Sequence, residues 1–443
     1  LTTAGGSSLG ADTLIISGSV VMKNAGVFTT DVSNNVQVAA NLDSITISNS
    51  GAITSVGSGL VRLVADGTNL SDVNINNGGQ INIGSGSVYL RAGANGSDRL
   101  NGNAITTVGG PILFDSVVTL ESSTLISTGL GSGGVNFNFA VQGVSVASQN
   151  LTVLTSGAVS FSGNVGTTIL PLGAITIGSQ QAASVSIGNV FAKSLSASVQ
   201  GPFNGSGTIN LNYVDGLTIS TFSAIGSVSL GNAATSSPAV ITSNLGSVTI
   251  NNSAALSINE DFILSGSFAQ TGLGSTAIGV TGAIGDLTIS TNSFPISFAS
   301  PLTLNQATVM SSNFLGILGL GNDITFSSTL NGLFDIQLTA GAGNILFNGA
   351  VGSLTPVGAI LVNNTNKFSA NSTISANSLT ITQATNAVTF MAAQTYSQFA
   401  GLSVVTNTSN GNVVLNGAVT GTNNAQIIIN NSGLLVIGSG ANL

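Results

Sequence analysis

The residues of this chain that could carry out acid–base chemistry are few. Glu260 and Asp261 form an adjacent pair of acids, and Asp98 stands beside Arg99 in the polar segment NGSDRLNGN (95–103). Paired carboxylates catalyse glycoside hydrolysis, but neighbouring residues of a strand point to opposite faces. We therefore interpret the acid pair as part of a solvated turn. We interpret Asp98 and Arg99 as a local ion pair on an exposed corner, with a cation or sugar site as the alternative.

Other catalytic chemistry lacks its usual side chains. The sequence contains no histidine and no cysteine, so a Ser–His–Asp site cannot form and the common ligands of zinc are missing. Its glycine-rich pairs are not followed by the lysine of a phosphate-binding loop. We therefore expect no catalytic residue, no cofactor and no metal ion. A polysaccharide-degrading β-helix enzyme is kept as a remote alternative.

The composition indicates a chain that buries much apolar surface and carries little charge. Of its 443 residues, 42% are hydrophobic and 5% are charged, with a net charge of −8. Typical soluble domains contain about 25% charged residues, whereas disorder requires low hydrophobicity. The six lysines and arginines are scattered, which excludes ordinary nucleic-acid binding. No run approaches the roughly 18 apolar residues that span a bilayer, so we expect no membrane insertion.

The elements that must position these residues are short strands. Apolar and polar residues alternate in segments of about five residues, which is the pattern of a half-buried strand. In GAITIGS (173–179), Ile175 and Ile177 share one face and Thr176 takes the other. Glycine, asparagine and serine flank these segments and suit tight corners. We find no convincing helix.

One short sequence motif occurs twice and indicates stacked repeats. GNILFNGAVG (343–352) returns as GNVVLNGAVTG (411–421). A sandwich or barrel usually closes within about 250 residues, whereas stacked coils have no natural length. The sequence therefore predicts an all-β fold, one continuous elongated parallel β-solenoid over residues 1–443. At roughly 20–25 residues per coil it would contain about 18–22 coils. We expect the chain to derive from a longer precursor.

Asparagines that follow the strands are predicted to lie at corners. Like residues stack on like in a solenoid, and asparagine ladders support neighbouring coils. The residues concerned are Asn251, Asn252, Asn348 and Asn416. The alternative is that they are solvated loop residues.

Three apolar residues are the candidate assembly contacts. If Ile345 and Phe347 face the core, Leu346 points outward, and the same reasoning turns out Val414 and Ile428. Exposed apolar residues mark contacts when they form stripes. The alternative is that long loops cover them.

Two segments carry a resemblance to a known group of proteins. They are LTAGAGNILFNGAVGSLTPVGAILVNN (338–364) and AAQTYSQFAGLSVVTNTSNGNVVLNGAVTG (392–421). Both are similar to repeats of the filamentous-haemagglutinin-like and autotransporter-passenger-like β-helical surface proteins of bacteria. The resemblance implies a right-handed β-helix that is secreted and displayed at the cell surface. Such proteins act as adhesins, stalks, biofilm scaffolds or fibres.

The functional hypothesis is an extracellular structural protein, the subunit of a cell-surface fibre that assembles end to end and laterally. Its expected partners are further copies of itself, and a host or neighbouring-cell surface is a second partner to consider. The alternative is a stalk segment of a large monomeric adhesin. Precursor length separates the two, because a chain that continues far beyond both ends favours a stalk.

Overall fold

The computed structural model describes most of the chain after residue 60, together with six short strands before it. The described ranges are 60–65, 72–75, 79–206, 209–222, 226–231, 241–243, 246–313, 319–406 and 411–442. These residues form strands, turns and irregular segments, with no helix among them. The fold is an all-β parallel solenoid, as predicted.

The chain divides into two compact units, each described by itself. Unit 1 consists of Leu1–Asn212 and Ile219–Ile225, and unit 2 of Tyr213–Thr218 and Gly226–Leu443. One continuous solenoid over 1–443 and its right-handed winding stay predictions.

The strands of unit 1 are mostly short, and Ile209–Thr221 contributes to both units. They are Thr13–Ser17, Val20–Met22, Val27–Thr30, Asn35–Ala40, Ile45–Ile47, Ala52–Ser55, Val61–Ala65, Val73–Ile75, Gln80–Ile83, Val88–Arg91, Asp98–Thr106, Ile112–Phe114, Val118–Gly129, Val135–Phe137, Val141–Gly143, Leu151–Thr155, Ala158–Phe161, Leu172–Ala182, Ser184–Ile187, Val190–Val199 and Phe203–Gly205.

The strands of unit 2 include two long ones that bend through corners. They are Val228–Leu230, Ile241–Ser243, Val248–Asn251, Leu256–Ile258, Phe262–Leu264, Phe268–Gln270, Thr276–Ile278, Leu287–Thr291, Ile296–Phe298, Leu302–Leu304, Thr308–Ser311, Ile324–Phe326, Leu330–Asn331, Ile336–Thr339, Ile345–Phe347, Val357–Ala370, Ile374–Phe390, Gln394–Tyr396, Leu402–Thr406, Asn412–Leu415, Val419–Gly421, Ile427–Asn430 and Leu435–Ile437.

Each coil contributes to three parallel faces, called A, B and C in chain order. In unit 2, for example, Leu302–Leu304 lies on face A, Thr308–Ser311 on face B and Ile324–Phe326 on face C. Each strand pairs with a strand of the coil before and a strand of the coil after. Ile324–Phe326 pairs with Ile296–Phe298 on one side and Ile345–Phe347 on the other. The hydrogen bonds of the backbone therefore run between coils.

The number of turns follows from face A. As far as Leu330–Asn331, the hydrogen-bonded sheet of face A has nine strands in unit 1 and five in unit 2, which gives about 14 turns. The predicted 18–22 coils exceed the 14 strands of this sheet because the sheet ends at Leu330–Asn331 while face A continues. After Asn331 the face continues through Val351, which bridges Leu330 and Ile374, and then through the strands that begin at Ile374, Gln394 and Val419, which the count omits.

The core is built from columns of like side chains. Ile175 and Ile177 are buried and Thr176 between them is half-buried, which confirms the alternation predicted for this segment. Phenylalanines stack in both units. In unit 1 the ring centroids of Phe114 and Phe137 are 4.8 Å apart. A longer stack in unit 2 places rings of successive coils against one another, so that each ring is covered by its equivalents.

Candidate functional site

Leu346 and Val414 point away from the core, as their spacing predicted. The residues that flank Leu346 in its strand are fully buried, whereas Leu346 itself is half-buried. Both lie in one outward row of face C. Ser369 and Thr389 stand between them in that row, one in each intervening coil. The row is therefore not a continuous apolar stripe at this point.

Ile428 lies on a different face. It belongs to face B, where it follows Thr380 and Ser403 in the outward row, and its side chain is 50% exposed. The structure thus brings together none of the three candidate contacts. Their role in assembly stays a prediction.

Several strongly exposed apolar side chains of unit 2 lie at corners that the sequence pattern did not single out. Leu273 and Ile284 are 94% and 95% exposed, Leu354 is 87% exposed and Phe399 is 64% exposed. Ile284, Leu354 and Phe399 each occupy a turn that leads from face A to face B. The sequence pattern that could have indicated such a corner is a large apolar residue among glycine, serine and proline, as for Leu354 in GSLTPVG (352–358).

A shallow groove of about 230 Å³ opens on face B of unit 2. Its floor contains Val309, Gln337 and Leu361, which are consecutive in the outward row. Asp286 and Asp335 lie at one border, both exposed, and Asp335 Oδ1 accepts a hydrogen bond of 2.7 Å from the Ala359 amide of the next coil. The groove thus combines an apolar floor with an acidic border.

The predicted corner asparagines behave differently from one another. Asn252 is fully buried, and its side-chain amide donates to the Gly274 carbonyl of the next coil at 3.0 Å. Asn348 accepts a hydrogen bond of 2.8 Å from Asn371 of the next coil, and Asn416 contacts the Met391 sulfur of the preceding one. The corner prediction is confirmed for these three.

Asn251 is an exposed residue at the end of its strand. The alternative, a solvated position, describes it better than a bond to a neighbouring coil.

An asparagine ladder runs along the start of face C in unit 2. Asn366 donates from its side-chain amide to Asn344 Oδ1 at 2.9 Å, and Asn386 of the following coil donates to Asn366 Oδ1. The other end of the ladder is Asp323, which accepts from the Asn344 side chain at 3.0 Å. Asn344 and Asn366 each donate toward the preceding coil and accept from the following one. A neutral amide can donate and accept at once, which a carboxylate cannot, so asparagine suits the interior of the ladder and Asp323 its end.

Asp98 contradicts the interpretation as an exposed ion pair. It is fully buried between Val73 and Val118 in an inward column of face B. Its Oδ2 accepts a hydrogen bond of 2.7 Å from Ser116 Oγ, and its Oδ1 has no partner. Burial raises the pKa of Asp98 to about 7, against the lowering effect of Ser116 and with help from the charge of Asp115. Strand alternation turns Asp98 inward and Arg99 outward.

Arg99 instead forms an ion pair with Glu121 of the next coil, with Nη2 and Oε1 2.7 Å apart. Nearby on face A, the Arg62 guanidinium lies 5.2 Å from the ring centroid of Tyr89. The Tyr89 hydroxyl donates to Asp115 at 2.6 Å, and this bond holds the pKa of Asp115 below its ordinary value. The charges of this region therefore pair between coils rather than along the sequence.

Glu260 contradicts the interpretation as a solvated turn. Its side chain is buried against Gly231 of the preceding coil. A Cβ atom at position 231 would clash with the Glu260 side chain. Asp261 fits the interpretation better, and its Oδ1 accepts a hydrogen bond of 2.7 Å from the Thr288 amide. Glu260 is buried and Asp261 is half-buried, and both precede the strand Phe262–Leu264 rather than lying in it.

The described part of the chain holds no group of three or more acidic side chains that could bind a metal ion. Nor does that part contain a helix of the length and apolar character needed to cross a bilayer. Comparison of the chain with protein-family models, with curated proteins and with solved structures gives no match. The resemblance to bacterial β-helical surface proteins therefore stays a prediction.

Proposed function

We propose that the protein is an extracellular structural protein, a subunit of a cell-surface fibre in which copies contact one another laterally and end to end. The observation that carries this proposal is the set of large apolar side chains at the corners of unit 2. Ile284 and Leu354 are almost fully exposed, whereas the aliphatic residues of the core columns are buried. Exposed apolar side chains are a source of free energy for association once they are covered.

The coil that contains Ile427–Asn430 and Leu435–Ile437 exposes apolar side chains along the stacking direction. Val413 and Leu415 are fully buried by this coil, whereas Leu435 and Ile437 at the equivalent positions are exposed. A further coil in the same register would cover them and pair with the strand edge. Such a coil can come from additional residues of the same chain or from a second copy.

The proposal places the protein outside a bacterial cell, on the strength of the resemblance described above. Protease treatment of intact cells tests the location, because a surface protein is cleaved while a cytoplasmic marker is spared. A protein protected until the cells are lysed would contradict it.

Assembly is tested on purified protein by electron microscopy and sedimentation over a range of concentrations. We expect filaments, and we expect replacement of Leu273, Ile284 and Leu354 by serine to reduce lateral association. Monomers at every concentration would contradict the fibre proposal and favour the stalk of a monomeric adhesin.

A further inference from the structure

Face B of unit 2 has borders of opposite charge. The acidic border is formed by Asp286 and Asp335, which immediately precede Leu287–Thr291 and Ile336–Thr339. The corresponding position of the coil between them is Ala307, so the two carboxylates flank a small residue. With about 4.8 Å between coils, they lie roughly 10 Å apart. Two acids thus repeat at one side of the groove.

On the other side of face B, the turn to face C carries Lys367, which is exposed and stands one residue before Phe368 of face C; this turn is called the basic border. Lys367 is the one lysine or arginine in the sequence of unit 2, against six acids. Lys367 lies at the turn from face B to face C, in the coil that follows the coil of Asp335, since Ile336 pairs with Ile360. Face B therefore lies between the two carboxylates and the corner that carries the ammonium group.

From this arrangement we infer that face B of unit 2 is a lateral contact between two copies, in which Lys367 of each copy binds the Asp335 border of the other. A two-fold axis parallel to the direction of coil stacking turns the acidic border of one copy toward the basic border of its partner. The contact is then formed twice, as in other isologous interfaces. The inference rests on the proposed function, because it specifies the lateral contact of the fibre.

A second copy of the chain fits this face better than a diamine or a basic peptide for two reasons. The two copies have the same spacing between coils, so positions that oppose each other at one coil also do so at the next. The outward residues between the borders, Val309, Gln337 and Leu361, are only half-buried and offer an apolar centre inside a charged rim. A diamine or a lysine-rich peptide would need the carboxylates alone, so that its binding would not depend on Lys367.

Charge reversal of the full chain tests the contact. We expect Lys367→Glu and Asp335→Lys each to weaken lateral association by at least about tenfold, and the double variant to recover most of it, as expected when paired charges are exchanged. Lys193→Glu, the same charge change in unit 1, is the control and should leave association unchanged. Because Asp335 accepts the Ala359 amide, Asp335→Asn provides a second variant that keeps this acceptor. It should also weaken the contact.

The outcomes separate this inference from the proposed function. If the wild-type chain does not self-associate under any condition, the fibre proposal fails and the inference with it. If the wild type forms laterally associated filaments and single reversals leave them intact, only the inference is overturned. It is also overturned if Asp335→Lys disrupts association while Lys367→Glu does not, since the groove would then hold a different cation.

Discussion

The ring of Phe347 stacks on that of Phe326 in the preceding coil, with centroids 5.0 Å apart and planes inclined by 18°. Both side chains are almost completely buried. Because each ring contacts its equivalents above and below, loss of one ring leaves a cavity lined by two others. The stack is thus a point where one substitution affects three coils.

Replacement of Phe347 by alanine should lower the free energy of unfolding by about 3–5 kcal/mol, the usual cost of removing a buried phenylalanine. Phe399→Ala is the matched control, since Phe399 is mostly exposed, and it should change stability little. Chemical denaturation followed by circular dichroism measures both. Equal effects of the two substitutions would show that the stack does not stabilise the fold.

The adjacent asparagines 251 and 252 offer a second matched comparison. Asn252 is buried and also accepts a hydrogen bond of 2.7 Å from the Gln270 side chain, whereas Asn251 is exposed. Asn252→Ala should cost about 2–4 kcal/mol, because Gln270 and the Gly274 carbonyl lose their buried partner. Asn251→Ala should cost less than about 0.5 kcal/mol. A comparable loss for both, measured by equilibrium unfolding, would contradict the assigned role of Asn252.

Asp98 should make stability depend on pH. Its pKa is raised from 3.8 to about 7 in the folded chain, so the folded state retains a proton that the unfolded state releases. The free energy of unfolding therefore falls as pH rises from about 4 to about 7, by roughly 4 kcal/mol in total, and levels off above that range. Asp98→Asn keeps an acceptor for Ser116 and removes the titration. The difference in unfolding free energy between wild type and Asp98→Asn should follow this curve, and a constant difference would refute it.

Gly352, at the end of the phrase GNILFNGAVG, shows why glycine is required at some corners. Its φ is +70°, and a Cβ atom would clash with the Ser375 carbonyl oxygen of the next coil. Gly352→Ala should therefore destabilise the fold by more than about 1 kcal/mol, through strain and loss of close coil contact. At Gly188 a Cβ meets nothing within 4 Å, so Gly188→Ala serves as the control. Thermal unfolding of the two variants should differ clearly, with Gly352→Ala melting at the lower temperature.

The sequence was sufficient for the fold because alternation is a local property that neighbouring coils reinforce. Ile175 and Ile177 could be assigned to the core from their spacing alone, and the outward direction of Leu346 followed in the same way. The exact number of turns was not predictable, since corners vary in length without changing the strands. The bend of Val357–Ala370 through a corner was likewise hidden, because its corner residues look like strand residues.

The features missed at the candidate sites depend on contacts between coils. Asp98 resembles any loop acid in the sequence, and its burial follows from the valines of adjacent coils. Arg99 meets Glu121, which is 22 residues away in the chain. The acidic and basic borders of face B combine residues from separate coils, so no short sequence motif indicates them.

The parallel register has a consequence for how such a chain can change in length. Ile345 and Phe368 occupy equivalent positions in successive coils, and the residues that follow them pair in step. A deletion or duplication that runs from one such position to its equivalent removes or adds a complete layer, and the remaining layers keep their partners. Deletion or duplication of whole layers can therefore change the number of coils while the rest of the structure is preserved.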